Sequence, residues 1–345
     1  KALGVPLRNQ SVHLNLKTGV ISSDGAKGTT RTAGSFSIQM QGLPYFVPEK
    51  ARKILPFLDW QKDFNHVELK VSGAEGPTAL EIGGAPTAFL DPKVLESGLA
   101  LEELWDSDPM RHAEELGMFC IEKNKAYIQL WRNLALKPNY NQWETSYRPA
   151  IHQMAIADNL KLQQSMRGMA RRAQSFELRV FPLPKQGEAL ANGDWIHTYA
   201  LSPRMKEGAK IDSSAATVDQ LIKSTGVWIP RRVDVVEAGM NLDFLLASGG
   251  KGTAYAAVRL DSPIAQRAKL KIAADDSFEA FVNGKSVGKS KMPGGLKPDS
   301  DQLSVDLKKG SNLLLIRVVQ MAGSAGLAAR FDGLQEPLRS WPAGL

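Results

Sequence analysis

The carboxylates come first, because a facing pair of them can do chemistry unaided. Glycoside hydrolysis needs two acids about 5–9 Å apart, one to donate a proton and one to attack or to activate water. Glu102, Glu103, Glu114, Glu115, Asp275 and Asp276 are the candidates, although neighbouring acids on helices and turns ordinarily face water. Asp299 and Asp301 flank Ser300 and offer hard oxygen ligands, which makes calcium the one cofactor the sequence points to. Five rings, Tyr127, Trp131, Tyr140, Trp143 and Tyr147, gather in one stretch with Asn139, Asn141 and Gln142 among them. Exposed rings beside amides serve sugar stacking or protein docking; the alternative is that they plug the interface between two halves of the chain. Between residues 159 and 185, six cations (Lys161, Arg167, Arg171, Arg172, Arg179, Lys185) oppose Glu177 alone. Arg167 and Arg171 then mark either a docking face for an acidic partner or the solvated back of a helix.

Other chemistries find no footing. There is no Gly-x-Ser-x-Gly elbow. Gly284-Lys285-Ser286 ends like a phosphate-binding loop, but Glu279 stands where the first glycine belongs. His13, His66, His112, His152 and His197 have neither helical nor hairpin spacing, so no local metal site is expected. Cys120, the single cysteine, lies in an apolar run and reads as a buried, inert thiol. One cysteine also excludes an internal disulfide and multi-cysteine metal sites. The 345 residues carry 43 Lys plus Arg against 36 Asp plus Glu, a net charge of +7. These cations are dispersed and form no nucleic-acid-binding motif, so nucleic acid is not an expected partner. Apolar runs fall far short of the ~18–20 residues of a membrane-spanning helix. A first residue of Lys1 and a single cysteine suit an exported bacterial protein whose leader has been removed, hence a periplasmic or extracellular location.

These residues need elements to hold them. Alternating polar and apolar residues predict half-buried strands over 11–16, 35–40, 66–71 and 126–131. Residues 99–116 read as helix, with Pro109 breaking or restarting it. The clearest helix spans 150–176, where Ile151, Ala155, Leu162, Met166, Met169, Ala173 and Phe176 form one apolar stripe. Residues 136–149 read as a long loop that would display the aromatic cluster. Pro182 to Gly187 look like a stiff connector, dividing a mixed α+β part (1–181, linker 182–190) from a β part (191–333). In the latter, short strands over 254–260, 268–273, 278–282, 303–307, 312–320 and 326–331 alternate with turn signals. Asn283-Gly284 is the strongest of these, because a type I′ hairpin turn needs positive φ at both centres. The tail, 334–345, reads as a surface strap with Trp341 as its anchor.

The second half also carries a resemblance. Asp194-Trp195-Ile196-His197-Thr198-Tyr199-Ala200-Leu201-Ser202-Pro203 resembles the opening strand of galactose-binding-like β-sandwich modules of exported bacterial proteins. Trp228, Thr253-Ala254-Tyr255-Ala256, Ala274-Asp275-Asp276-Ser277-Phe278-Glu279, Phe281-Val282-Asn283-Gly284-Lys285 and Leu307-Lys308-Lys309-Gly310-Ser311-Asn312-Leu313-Leu314-Leu315 follow in that family's order, and residues 326–331 resemble its closing strand. The resemblance implies a jelly-roll type sandwich over residues 190–332. It departs from the family at Ser202-Pro203-Arg204, where a Gly-Pro-Phe-like turn is usual. The loop 286–300 has no aromatic residue on which a sugar could stack. Fold alone does not carry function.

The expectation is therefore a mainly β chain with some α: a C-terminal sandwich and an N-terminal α+β part with a long amphipathic helix. Its leading role is that of a non-catalytic exported binding or scaffold protein, a subunit or accessory of a larger envelope assembly, with other protein subunits as partners. Carbohydrate binding by the sandwich is the second reading, and a glycoside hydrolase with its acid pair in the first half is the third.

Overall fold

The computed structural model describes residues 9–32, 34–40, 43–44, 47, 66–104, 107–135, 142–171, 174–185, 187–202, 211–233, 240–242, 252–291, 294–321 and 325–342. The first half begins with β1 (Gln10–Asn15), β2 (Ile21–Asp24), β3 (Ala26–Thr32), β4 (Ser35–Met40), β5 (Val67–Ser72), β6 (Thr78–Ile82) and β7 (Ala85–Leu90). Helix α1 (Pro92–Ser97), β8 (Leu99–Ala100), a 3₁₀ turn (Leu101–Glu103), α2 (Asp108–Ala135), α3 (Gln142–Arg171) and β9 (Gln174–Pro182) complete it. The second half runs β10 (Glu188–Leu190), β11 (Thr198–Leu201), α4 (Val218–Thr225), β12 (Val227–Arg232), β13 (Met240–Asn241), β14 (Gly252–Ser262), β15 (Gln266–Asp275), β16 (Ser277–Val282) and β17 (Lys285–Lys289). It closes with β18 (Asp301–Leu307), β19 (Gly310–Gln320), β20 (Gly326–Asp332) and β21 (Leu338–Trp341).

The fold is mainly β, as expected, and the first half is itself a sandwich. One large sheet runs β17-β16-β19-β14-β11-β12-β7-β6-β9-β4-β3, with β21 bonded to β14 and β10 to β21. Two four-stranded sheets, β2-β1-β5-β8 and β13-β20-β15-β18, pack against its two ends. Val12, Leu14, Val67 and Leu69 meet Phe36, Ile38, Leu80 and Val180 in the first core. Leu270, Ile272, Leu327 and Phe331 meet Val258, Leu314, Ile316 and Val318 in the second. The halves join where β12 pairs with β7, Trp228 opposite Phe89. A third cluster, with Phe89, Trp228, Tyr255, Phe281 and Trp341, covers the back of the large sheet beside α4.

Local sequence explains these elements. In β15, Ala268, Leu270 and Ile272 are buried while Arg267 and Lys269 are exposed, the signature of one wet face. In β19 the apolar run does not alternate, because Leu314 and Ile316 fill one core and Leu313 and Leu315 the other. Edge strand β17, KSVGK, carries lysine at both ends, a guard against edge-to-edge pairing. The Asn283-Gly284 turn has φ of 51° and 78°, as its type I′ signature predicts. A Cβ on Gly284 would lie 2.4 Å from the Ser214 carbonyl oxygen. Asn312 accepts from the Lys308 amide at 2.9 Å and donates to the Lys308 carbonyl at 2.8 Å, locking the turn before β19.

Four expectations are corrected. Residues 126–131 are not a strand but the last third of α2, since a six-residue window cannot separate a short alternation from a helix face. The helix expected over 99–116 is a two-residue strand, a turn and then α2, which starts beside Pro109, where a missing amide costs nothing. The helix expected over 150–176 begins earlier and ends at Arg171, so Phe176 packs from β9 instead. The tail is no strap: β21 is a sheet strand, and Trp341, 1% exposed, stacks on Phe89 at 4.7 Å.

Candidate functional site

Helices α2 and α3 form an antiparallel hairpin that leaves the first sandwich after β8 and returns at β9. Its root is fixed. Met110 and Ala113 of α2 and Met166 of α3 are buried, and His112 lies 6.1 Å, ring to ring, from Phe176. At 1.5 Å per residue the 28 residues of α2 span about 42 Å, so most of the hairpin stands clear of the sheet. Leu116, Cys120, Ile121 and Lys123 on α2, and Ala155, Asn159, Gln163 and Met169 on α3, are the partly covered side chains among those described. Cys120 is thus only partly buried. The rest of the surface is unusually apolar: of the ten exposed large hydrophobic residues described, eight belong to the hairpin. They are Met118, Phe119, Tyr127, Ile128, Met154, Ile156, Leu160 and Leu162, with Met154 67% exposed.

This hairpin carries most of the residues singled out from sequence. Tyr127 is exposed on α2, and Trp131 lies one turn further along the same helix. Trp143 and Tyr147 are helical, on α3, which corrects the loop expected over 136–149; Tyr140 lies outside the described residues. Arg167 is exposed on α3, with Arg171 one turn on at its end. The aliphatic side chains Met118, Ile128, Met154 and Leu160 were missed, and no single one of them is distinctive in sequence. A two-helix reading of 108–171 with more apolar residues than one buried stripe needs would have found them.

The acids do not assemble. Glu102 is fully buried in the 3₁₀ turn, with one oxygen bonded to His66 Nδ1 and the other accepting from the Val67 amide at 3.3 Å. That hydrogen bond to Glu102 raises the His66 pKa above 6.5, against the opposing effect of burial, with the charges of Glu102, Glu68 and Glu103 adding to it. Glu103 is exposed beside the turn, and Glu114 and Glu115 are exposed on α2. Asp275 and Asp276 sit in the other sandwich, where Asp276 accepts from the Met321 amide at 2.6 Å.

In the second sandwich the loop before β18 folds onto β20. Asp299 forms a two-pronged ion pair with Arg330, through Nε at 2.9 Å and through Nη2. The Arg330 guanidinium lies 5.0 Å from the centre of the Trp195 ring. Asp301, 8% exposed, accepts from the Lys291 amide at 3.4 Å and the Ser300 hydroxyl at 3.3 Å. Among the described residues no three His, Cys, Asp or Glu side chains are grouped to hold a metal ion. The ring beside the loop therefore comes from Trp195, far away in sequence, in the block that resembles a sandwich-opening strand.

No family model and no curated protein matches the chain. Solved structures do. One described as "BT4096 a gut microbial diltiazem-metabolizing enzyme" is 14% identical with a TM-score of 0.43, covering 52% of this chain and 51% of that one, so the chain spans about half its length. A PA14 sugar-binding domain from an RTX adhesin is 15% identical with a TM-score of 0.28, covering 42% of this chain and 96% of that domain. A β-glucuronidase from Faecalibacterium prausnitzii is 16% identical with a TM-score of 0.26, covering 39% of this chain and 22% of the enzyme. Among the described residues no helix is long and apolar enough to cross a membrane.

Proposed function

We propose that the protein is a binding or scaffold subunit that uses its rigid double sandwich to present the α2–α3 hairpin to other protein. The observation that carries this reading is the concentration of exposed apolar side chains on the hairpin, eight of the ten described. Exposed apolar surface concentrated on one element marks an interaction site, and long helices fixed at the root are suited to reach a partner. Photo-crosslinkers placed at Phe119 and at Met154 in the full chain test it, with one at Val20 as control. Val20 is equally exposed, at 61%, but lies on the first sandwich. Stoichiometric protein adducts from the hairpin positions and none from Val20 are expected. Equal yields from all three positions would reject the reading.

A second reading, glycan binding by the C-terminal sandwich, draws on Trp195. A half-buried ring flanked by Arg330 and Asp299 combines a stacking surface with charged hydrogen-bonding groups. Retention on immobilised polysaccharides that is lost in Trp195→Ala supports it, and no retention of the parent protein removes it.

A further inference from the structure

The strand register of the second sandwich extends its candidate glycan site well beyond Trp195. Trp195 bridges Arg330 of β20, Arg330 lies opposite Lys271 of β15, and Lys271 lies opposite Gln302 of β18. Directly opposed residues project from the same side of a sheet. Here it is the side away from the core, since the alternate residues Leu270, Ile272 and Phe331 point inward. The four side chains therefore form one row across the sheet. At about 4.8 Å between strands the row is roughly 14 Å long. It runs out to the rim of the sheet, because β18 is an edge strand. One flank of the row is walled. Ala273 and Ala328 face the same way two positions along β15 and β20, yet they are only 1% and 3% exposed. The loop before β18 reaches this flank: its Asp299 clasps Arg330, and a Cβ on Gly326 would lie 3.2 Å from the Leu296 side chain. On the other flank Lys269 and Ser304 are exposed. Each cation of this shelf has an acid beside it. Asp299 pairs with Arg330, Lys271 is 3.1 Å from Asp332, and Lys269 stands opposite Asp332.

We propose that this shelf binds an uncharged polysaccharide as an extended chain, laid across the strands with one sugar ring against Trp195 and the following rings over Lys271 and Gln302. The spacing of strands is close to the width of a pyranose ring, so the row takes roughly three rings. Trp195 supplies the apolar surface. A sugar hydroxyl donates and accepts at once, and the shelf answers both roles: carboxylates keep free lone pairs when ion-paired, and Lys and Arg keep free N–H groups. A carboxylate-bearing chain would meet Asp299 and Asp332 as well as the cations, and like charges repel it there. The chain continues past Gln302 at the sheet rim, which suits a long polymer better than a lone terminal sugar.

This inference rests on the glycan reading of the sandwich and goes further by naming the form and charge of the ligand. Isothermal titration calorimetry of the full chain reads the outcome, with xylo-, manno- and cello-oligosaccharides of increasing length and oligogalacturonides as the charged comparison. Affinity for at least one neutral series should rise about tenfold or more from the monosaccharide to the trisaccharide and then level off. Gln302→Ala, at an exposed side chain, should weaken the trisaccharide about threefold or more and leave the monosaccharide unchanged. Trp195→Ala should weaken both. Far-ultraviolet circular dichroism checks that each variant is folded. Equal affinity for one ring and three, a trisaccharide indifferent to Gln302→Ala, or tighter binding of the oligogalacturonides than of every neutral series would each overturn the proposal. If Trp195→Ala still removes binding in those cases, the glycan reading stands. No binding of any of these sugars ends both.

Discussion

Glutamine at position 102 tests whether the buried carboxylate clamps the root of the hairpin. Glu102 is 0% exposed, and it holds the 3₁₀ turn to the start of β5 through His66 and the Val67 amide. Glu102→Gln keeps the shape and removes the charge. Breaking a buried ion pair costs about 3–5 kcal/mol, and a hydrogen bond to a charged group about 1.5–3 kcal/mol. The His66 side chain is 23% exposed and keeps some hydration, so the lower range applies and about 2 kcal/mol is expected below pH 6. If the whole chain unfolds as one unit, that lowers its midpoint by roughly 3 °C. His66 binds its proton more tightly folded than unfolded. The stabilisation is thus complete below the unfolded pKa of about 6.5 and fades as pH rises through the raised folded value. Guanidinium unfolding of parent and variant across pH 5–9 measures both. A loss under about 0.5 kcal/mol at low pH, or a loss that does not shrink as pH rises, refutes the clamp.

Other outcomes follow from single contacts. Trp341→Ala removes a ring stacked on Phe89 and lying under Arg259, and should cost about 3–5 kcal/mol by denaturant unfolding. Gly284→Ala forces a side chain into positive φ against the Ser214 carbonyl, and should destabilise by at least ~1 kcal/mol in the same assay. Lys271→Met removes the hydrogen bond and charge that hold Asp332 below its ordinary carboxylate range. The Asp332 resonance followed by NMR should then titrate closer to 3.8, while in the parent the pair's contribution is present above that value and fades as pH falls through the depressed one.

Strands with one wet face were the most legible. Residues 11–16, 35–40, 66–71 and 268–273 alternate in sequence because one side of each meets a core, and nothing distant is needed to see it. Turns were legible for the same reason: Asn283-Gly284 and Asn312 act on their own neighbours. Long-range facts were hidden. The parallel register of β1 on β5 and the joining of β7 to β12 depend on segments far apart in the chain. The hairpin was half hidden. A six-residue alternation at 126–131 imitated a strand, and Pro149, tolerated here on an exposed side of α3, imitated a helix start. With those errors the aromatic stretch looked like a loop, when Trp131, Trp143 and Tyr147 all stand on long helices. The meeting of Trp195, Arg330 and Asp299 likewise required the closed sandwich.

The ladder between Val227 and Leu90 and between Trp228 and Phe89 makes the molecule a single plank rather than two beads. A pull on the hairpin root loads β9 and travels sideways through successive strands to the far edge at β17, without crossing a swivel. Severing the polypeptide near residue 186 would leave both fragments with raw amide and carbonyl rows along β7 and β12. Those rims would seek any strand to complete them, so co-expressed pieces should zip together where isolated ones precipitate.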